Sequence, residues 1–402
     1  MNWREELFSR RTLGVRLGLE SVAAVDRELG SPGGRHVVVH VVGTNGKGST
    51  AAMVDHGLRA SAGRRVGLFT SPHLRRVGER VRIDGVAVSD EQIERATLDV
   101  LAAERSARVT LSFFEILTMA ALQIFEAARV ELIVLEAGLG GRLDATRLRI
   151  SALTLVTSIG LDHQRFLGDT LVEIAADKAA AIHRGAPCFA QRPADAAVEE
   201  VISQRALEVG TRLEWVPPLD VLPQGLSGDF QRHNAALALK ALRHLVPTAR
   251  KGHLAGVHWP GRWERRRIGE CEVVFDVAHN ADAIRALDPD LRAFRPTHIV
   301  FGCMPDKDVQ GMIDRLIEHA EHGWVVTPPA SPGPPLNPRL PTGWECVTGI
   351  GDPGFAPTWK RLLAHANRVV VCGSHSLVGA LRMWIGAEEE YQPLPVDPTD
   401  PR

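Results

Sequence analysis

Excess charge of either sign is missing from this 402-residue chain, in which 47 lysines and arginines stand against 48 aspartates and glutamates. No overall field draws it toward nucleic acid or an anionic membrane, so any anion must be bound locally. Paired cysteines are missing too. Cys188, Cys271, Cys303, Cys346 and Cys372 are scattered singly with no C-x-x-C, which argues against a disulfide framework or a thiolate zinc site and suits a reducing cytosol. No apolar run approaches the roughly 18 residues of a membrane span, and Met1-Asn2-Trp3-Arg4-Glu5-Glu6 carries charge where a signal peptide needs an apolar stretch. The expectation is a cytoplasmic protein with neither nucleic-acid nor membrane partners. No internal repeat is present.

What is there is enough apolar material, 45% of residues, for two domains each with its own core. Runs rich in Val, Ile and Leu at 37–42, 131–135 and 152–156 alternate with stretches of helical periodicity such as 90–103 and 114–128. That rhythm predicts a buried, mostly parallel sheet covered by helices. Val81 to Val88 alternates around Asp84-Gly85 and reads as a hairpin. After His258-Trp259-Pro260-Gly261 a second strand and helix series begins, with strands expected at 273–275, 298–301, 324–326 and 369–372. The predicted organisation is an α/β domain over 1–258, a smaller Rossmann-like α/β domain over 259–390, and a disordered proline-rich tail over 391–402. The run Pro328 to Pro341 reads as a loop inside the second domain.

The most informative segment is the strand 36–42 running into Gly43-Thr44-Asn45-Gly46-Lys47-Gly48-Ser49-Thr50 and then a helix-forming stretch. Glycines let backbone amides converge on phosphate oxygens, a helix amino terminus favours negative charge, and Lys47 offers a cation to terminal phosphates. Ser49 or Thr50 could face a magnesium ion. Gly48 between Lys47 and Ser49 breaks the strict Walker pattern, which disfavours a generic motor or GTPase. Glu136 ends the apolar run 132–135, the sheet edge where α/β proteins place ligand groups. Its hard oxygens suit magnesium, and a salt bridge to Arg142 is the plain alternative. His163 follows the run 153–159 with Asp162 beside it to orient its ring, and it could equally be a loop or capping residue. Lys178 lies in a helical stretch, where the plain reading is a solvated lysine.

The phosphate loop resembles that of the dihydrofolate synthase/folylpolyglutamate synthase family, the folate branch of the Mur ligases, and further segments agree in the same order. They include Thr70-Ser71-Pro72-His73-Leu74, Ser112-Phe113-Phe114-Glu115, Glu136 to Thr146, Ser158 to His163, Asp177-Lys178-Ala179, Asn234-Ala235-Ala236, Trp259 to Glu264 and Asp276 to Asn280. The resemblance implies a P-loop ligase domain followed by the Rossmann-like domain, and a monomeric enzyme that uses ATP and two magnesium ions to join glutamate to dihydropteroate or a reduced folate. It implies ATP contacts from Gly43, Thr44, Asn45, Gly46, Lys47, Gly48, Ser49, Asn234, Arg262, Asp276 and His279. Metal ligation falls to Ser49, Ser71, Glu136, His163 and a carbamylated Lys178, with Lys47, Glu136, His163 and Lys178 as the catalytic set. Substrate contacts fall to Ser112, Phe113, Phe114, Glu115, Leu143, Asp144 and Ala145. Phe113 and Phe114 offer faces for a flat pterin, or else simply fill the core.

Two segments depart from the family pattern. Arg16-Leu17-Gly18-Leu19-Glu20-Ser21 stands where D-L-G-L-E-R is usual, and Asp144-Ala145-Thr146-Arg147 where D-A-T-N is usual. Both bear on the substrate more than on ATP. The competing readings are a peptidoglycan-precursor or other Mur-type ligase with a different carboxylate acceptor, and a nucleotide-binding regulatory ATPase. The folate-branch segments disfavour the first, and the joint presence of Glu136, His163 and Lys178 disfavours the second.

Overall fold

A computed structural model of the chain describes residues 3–10, 18–329, 331, 335–347 and 349–386. Arg16 and Leu17 of the first departing segment, part of the proline-rich run and the tail 391–402 lie outside the described residues. The chain divides into two compact units, Met1–Pro223 with His233–Val257, and Gln224–Arg232 with His258–Arg402. Gln224–Arg232 thus groups with the second unit, ahead of position 258.

The first unit holds one eight-stranded sheet. Its strands are β1 (Val37–Val42), β2 (Val66–Phe69), β3 (Val81–Ile83), β4 (Val86–Ala87), β5 (Leu132–Glu136), β6 (Leu153–Val156), β7 (Cys188–Ala190) and β8 (Leu213–Trp215). The order is β4-β3-β2-β5-β1-β6-β7-β8, parallel from β2 through β8. The central strands are nearly all buried and read as continuous Val, Leu and Ile because both faces are covered. The antiparallel β3–β4 hairpin turns at Asp84-Gly85, both at positive φ (52° and 82°), the geometry that makes Asp-Gly a hairpin signal. Helices Asp90–Ala107 and Phe113–Ala127 cover 90–103 and all but the last residue of 114–128, as their periodicity predicts, and pack with Val38, Phe69, Ile133 and Leu135 into one core cluster.

Chain connections leave β1 toward β2 on one side while β6 lies on the other. The carboxyl ends of β5, β1 and β6 therefore form a topological switch point, where open α/β sheets bind ligands.

The second unit holds β9 (Glu264–Ile268), β10 (Cys271–Phe275), β11 (His298–Phe301), β12 (His322–Val326), β13 (Trp344–Val347) and β14 (Arg368–Cys372). They lie in the order β13-β12-β11-β14-β10-β9, parallel except for β9 at the edge. Around this sheet Val274, Ile299, Phe301 and Val370 pack with Leu291 and Ile313 in a separate core. The described part of Pro328 to Pro341 carries no helix or strand. No helix among the described residues is long and apolar enough to cross a membrane.

Candidate active site

The turn leaving β1 is built from conformations that only glycine takes easily. Gly43 (φ 142°) and Gly46 (φ 87°) bracket it, and a Cβ on Gly43 would stand 1.9 Å from Thr157 Oγ1. The turn is stitched to the segment after β6. Thr44 N donates to Ser158 O (2.7 Å), Thr44 Oγ1 bonds both Gly160 O and Gly160 N (3.0 Å each), and Asn45 N donates to Ser158 Oγ (3.3 Å). The helix Lys47–Ala62 follows with Gly48, Ser49 and Thr50 buried in its first turn. Backbone amides at a helix start, fixed before any ligand arrives, make a preorganised anion cradle.

Two lysine side chains meet at this cradle. Lys47 Nζ folds back to donate to Gly43 O (3.1 Å) and Thr44 O (2.9 Å), and Lys178 Nζ, 135 residues away in sequence, donates to the same Gly43 carbonyl at 2.8 Å. Lys178 is not a solvated helix lysine, being only 4% exposed. Burial first, and then the neighbouring Lys47, lower its pKa to about 7 against the opposing pull of Asp162, Asp177 and Asp144. An amine in that state is uncharged in a substantial fraction of molecules at neutral pH, whereas an ordinary lysine is uncharged in roughly one in a few thousand.

Glu136, at the end of β5 and in register with Val41 of β1, is buried and accepts from Ser71 N at 2.9 Å. Arg142, its candidate salt-bridge partner, instead pairs with Asp177 (3.2 Å). His163 lies at left-handed φ (53°) before the short helix Gln164–Leu167. Its side chain is 43% exposed, with Nε2 3.9 Å from Asp162 Oδ1. The Asp144 carboxylate accepts from Gly138 N (2.8 Å), Leu139 N (2.9 Å) and Thr146 N (3.0 Å), so it organises the loop after Glu136. Burial raises its pKa, opposed by these bonds. Leu143 is half-buried beside it and Ala145 lies in the core.

Ser112 and Glu115 cap each other's backbone at the start of Phe113–Ala127, Ser112 N donating to Glu115 Oε2 (2.7 Å) and Glu115 N to Ser112 Oγ (3.4 Å). The S-x-x-E spacing signals such a capping box in the sequence itself. Phe113 belongs to the core and touches Phe8. Phe114 is half-buried, and its ring closes on Gly138, where a Cβ would come within 2.5 Å of it. Of the two aromatics, Phe114 is the one beside the loop that follows Glu136. Asn234 is buried with its amide against Gly46, so it meets the phosphate loop itself.

In the second unit, Asp276 directly follows β10 and accepts from Ala278 N and Trp263 N, both at 2.8 Å. Burial raises its pKa while Arg262 and those amides oppose the shift. Arg262 donates to Gly261 O (3.1 Å) and to His375 Nε2 (3.3 Å), and His279 donates from Nδ1 to Val277 O (2.8 Å). The His279 and His375 rings lie 5.5 Å apart. The structure thus gathers Arg262, Asp276 and His279 and adds His375, which sequence reasoning missed. Its signal was present as an apolar strand followed by Gly373-Ser374-His375 at a helix start.

Among the described residues no three His, Cys, Asp or Glu side chains form a ready-made metal site. The donor chemistry nonetheless suits magnesium, which keeps several waters and phosphate oxygens and takes one or two protein oxygens. Buried Glu136 and Ser49 are hard-oxygen donors at the switch-point ends of neighbouring chain segments.

Residues 261–375 match the family model described as Mur ligase, glutamate ligase domain. Joined in one chain to this phosphate loop, they define an ATP-dependent ligase of the Mur type. The chain is 32% identical over 415 residues to the Escherichia coli dihydrofolate synthase/folylpolyglutamate synthase, covering 94% of this chain and 93% of that protein. It is 37% identical over 364 residues to a probable bifunctional folylpolyglutamate synthase/dihydropteroate synthase of Haloferax volcanii, covering 80% of this chain and 42% of that longer protein. Its fold is similar to that of Escherichia coli FolC in complex with DHPP and ADP, with TM-score 0.82, 28% identity, and 97% and 99% of the two chains covered. The chain belongs to the dihydrofolate synthase/folylpolyglutamate synthase family.

Proposed function

We propose that this protein joins L-glutamate through an amide bond to dihydropteroate, to the glutamate tail of tetrahydrofolates, or to both, through an acyl-phosphate intermediate. The observation that carries the reading is the convergence of Lys47 and buried Lys178 on one phosphate-loop carbonyl. The names and bound DHPP and ADP of its relatives support the substrates. The first unit is the ATP-binding ligase domain, with Gly43 to Ser49 around the phosphates and Asn234 behind Gly46, and the second, Rossmann-like unit carries Arg262, Asp276 and His279. The protein acts as a monomer in the cytoplasm, and its five unpaired cysteines suit a reducing compartment.

A carboxylate resists an amine because it is anionic and lacks a leaving group. Transfer of the γ-phosphoryl group from ATP to the carboxylate oxygen releases ADP and leaves an acyl phosphate. The glutamate amine then attacks the acyl carbon and phosphate departs. The amides at Gly43 to Ser49 hold the phosphates in line, and Lys47 offsets charge on the transferring oxygens. Two magnesium ions, held by Ser49, Ser71, Glu136, His163 and Lys178, would supply further countercharge to the phosphates. Lys178, as the neutral amine, attacks carbon dioxide with loss of a proton to give a carbamate, turning a nitrogen donor into an oxygen donor. The half-buried Phe114 ring offers a face to the pterin.

Mass analysis of products formed from purified protein, ATP, magnesium, glutamate and either dihydropteroate or tetrahydrofolate tests the reading. A product heavier by one glutamyl residue, with matching ADP release, is expected. ATP turnover that ignores both acceptors would overturn it.

A further inference from the structure

The valine-rich central strand β1 carries one polar side chain, His40, fully buried between Leu135 of β5 and Thr154 of β6 in register. Nothing in the ligation chemistry above uses it. Its Nε2 lies 2.8 Å from Thr146 Oγ1, and Thr146 Oγ1 in turn donates to Asp144 Oδ1. Both Asp144 oxygens already face donors, Gly138 N and Leu139 N on Oδ2 and Thr146 N on Oδ1, so the carboxylate acts only as an acceptor. The hydroxyl proton of Thr146 therefore points to Asp144, and its lone pair faces His40. That makes Nε2 of His40 the protonated nitrogen. Burial, then His183 and Arg147, lower the pKa of His40 to about 3, so the ring is neutral and keeps this tautomer. Its Nδ1 is buried and has no hydrogen-bond partner among the described residues.

A valine like its neighbours would fill this position without stranding a nitrogen, so His40 is a poor choice for packing alone. Its effect lies further along the chain of bonds. Asp144 pins Gly138 and Leu139, two and three residues beyond Glu136. The other end of the same loop is pinned by Asp177, which accepts from Gly141 N (2.9 Å) and precedes Lys178. Gly141 packs so tightly there that a Cβ would stand 2.6 Å from Lys178 O. The loop thus ties the end of β5 to the helix segment Leu171–Ala179.

We propose that His40 is a positioning residue for ligation, acting through Thr146 and Asp144 to hold the 138–144 loop so that Glu136 and Lys178 keep their places at the phosphate loop. The proposal rests on the ligase reading for its catalytic consequence, whereas the bond relay itself does not.

The test compares His40→Leu with His40→Gln, whose amide keeps an N–H near the Nε2 position, and Thr146→Val with Thr146→Ser. Ligation kinetics, thermal unfolding and hydrogen exchange of the 137–144 amides are measured on the full chain. His40→Leu and Thr146→Val should lose kcat by about tenfold or more with KM for ATP within about threefold, since misplacement acts on the reacting geometry. Exchange of the loop amides should accelerate in both, and the Gln and Ser variants should recover most of each change. The double variant His40→Leu/Thr146→Val should be no worse than either single one, because both cut one relay. Equal losses in the Leu and Gln variants, or wild-type kcat or unaltered loop exchange in folded Thr146→Val, would overturn the proposal. If His40→Leu does not fold, the Thr146 pair decides. A wild-type protein that does not ligate at all would defeat the ligase reading, and loop exchange would still judge the relay.

Discussion

Replacing Gly46 by alanine isolates two physical penalties at the phosphate loop and allows each to be measured. Gly46 lies at φ 87°, immediately before the helix Lys47–Ala62, and a Cβ there would stand 2.3 Å from Asn234 Oδ1 and 3.1 Å from its Cγ. The left-handed backbone costs an alanine about 1–2 kcal/mol. The overlap adds a second cost, because Asn234 is buried and its short amide must turn away from its present contacts, for a total of roughly 2–4 kcal/mol. Gly63, at the other end of the same helix, supplies the control. It has φ 60° and nothing within 4 Å of a Cβ, so Gly63→Ala should show the backbone penalty alone, about 1–2 kcal/mol. Urea denaturation of Gly46→Ala, Gly63→Ala and Gly46→Ala/Asn234→Ala, referred to Asn234→Ala, separates the terms. Nucleotide titration should show at least about tenfold weaker ATP binding in Gly46→Ala, from a shifted anion cradle, and little change in Gly63→Ala. If Gly46→Ala costs no more than Gly63→Ala, and Asn234→Ala relieves nothing, the close approach drawn between Gly46 and Asn234 is wrong.

Other substitutions test the charged groups. Lys47→Ala should reduce ligation by about a hundredfold or more while changing stability by less than about 1 kcal/mol, because water can serve the Gly43 and Thr44 carbonyls to which it donates; circular dichroism beside the ligation assay checks both, and an active, folded variant would remove Lys47 from the chemistry. Glu136→Gln keeps shape and loses charge, so turnover should fall far more than ATP affinity, with partial recovery as magnesium is raised. Unchanged turnover at low magnesium would reassign Glu136 to holding Ser71 N. Lys178→Ala should be nearly inactive yet folded, with short carboxylates such as formate restoring some activity and removal of carbon dioxide lowering that of the wild type. Full activity of the alanine variant would end the carbamate assignment.

Much of the site was legible because it is local. Strand β1, the glycine turn and the following helix are contiguous, and the positive φ values demanded at Gly43 and Gly46 match the residue that takes them most easily. Asp84-Gly85 declared its hairpin for the same reason, and Glu136 could be placed at a strand end because the apolar run stops there. Strand β9 was not legible: Glu264 is followed by three arginines, and it becomes a strand only by pairing antiparallel with β10 at the sheet edge. Ser112 and Glu115 carried a local capping signal that a site reading overlooked, while only packing separates core Phe113 from Phe114 at Gly138.

The sequence by itself determined the two α/β series, the glycine-rich turn after β1 and the family, since these depend on periodicity and on neighbours a few residues apart. Tertiary structure alone decided that Lys178 is buried on the Gly43 carbonyl, that His40 reaches Asp144 through Thr146, and that His375 joins Arg262. An amphipathic stretch is the same whether its lysine faces water or another strand's loop. The pairing of β1 between β5 and β6 brings segments more than a hundred residues apart to one sheet edge, and with that contact come the desolvation and neighbouring charge that lower the pKa of Lys178 to about 7.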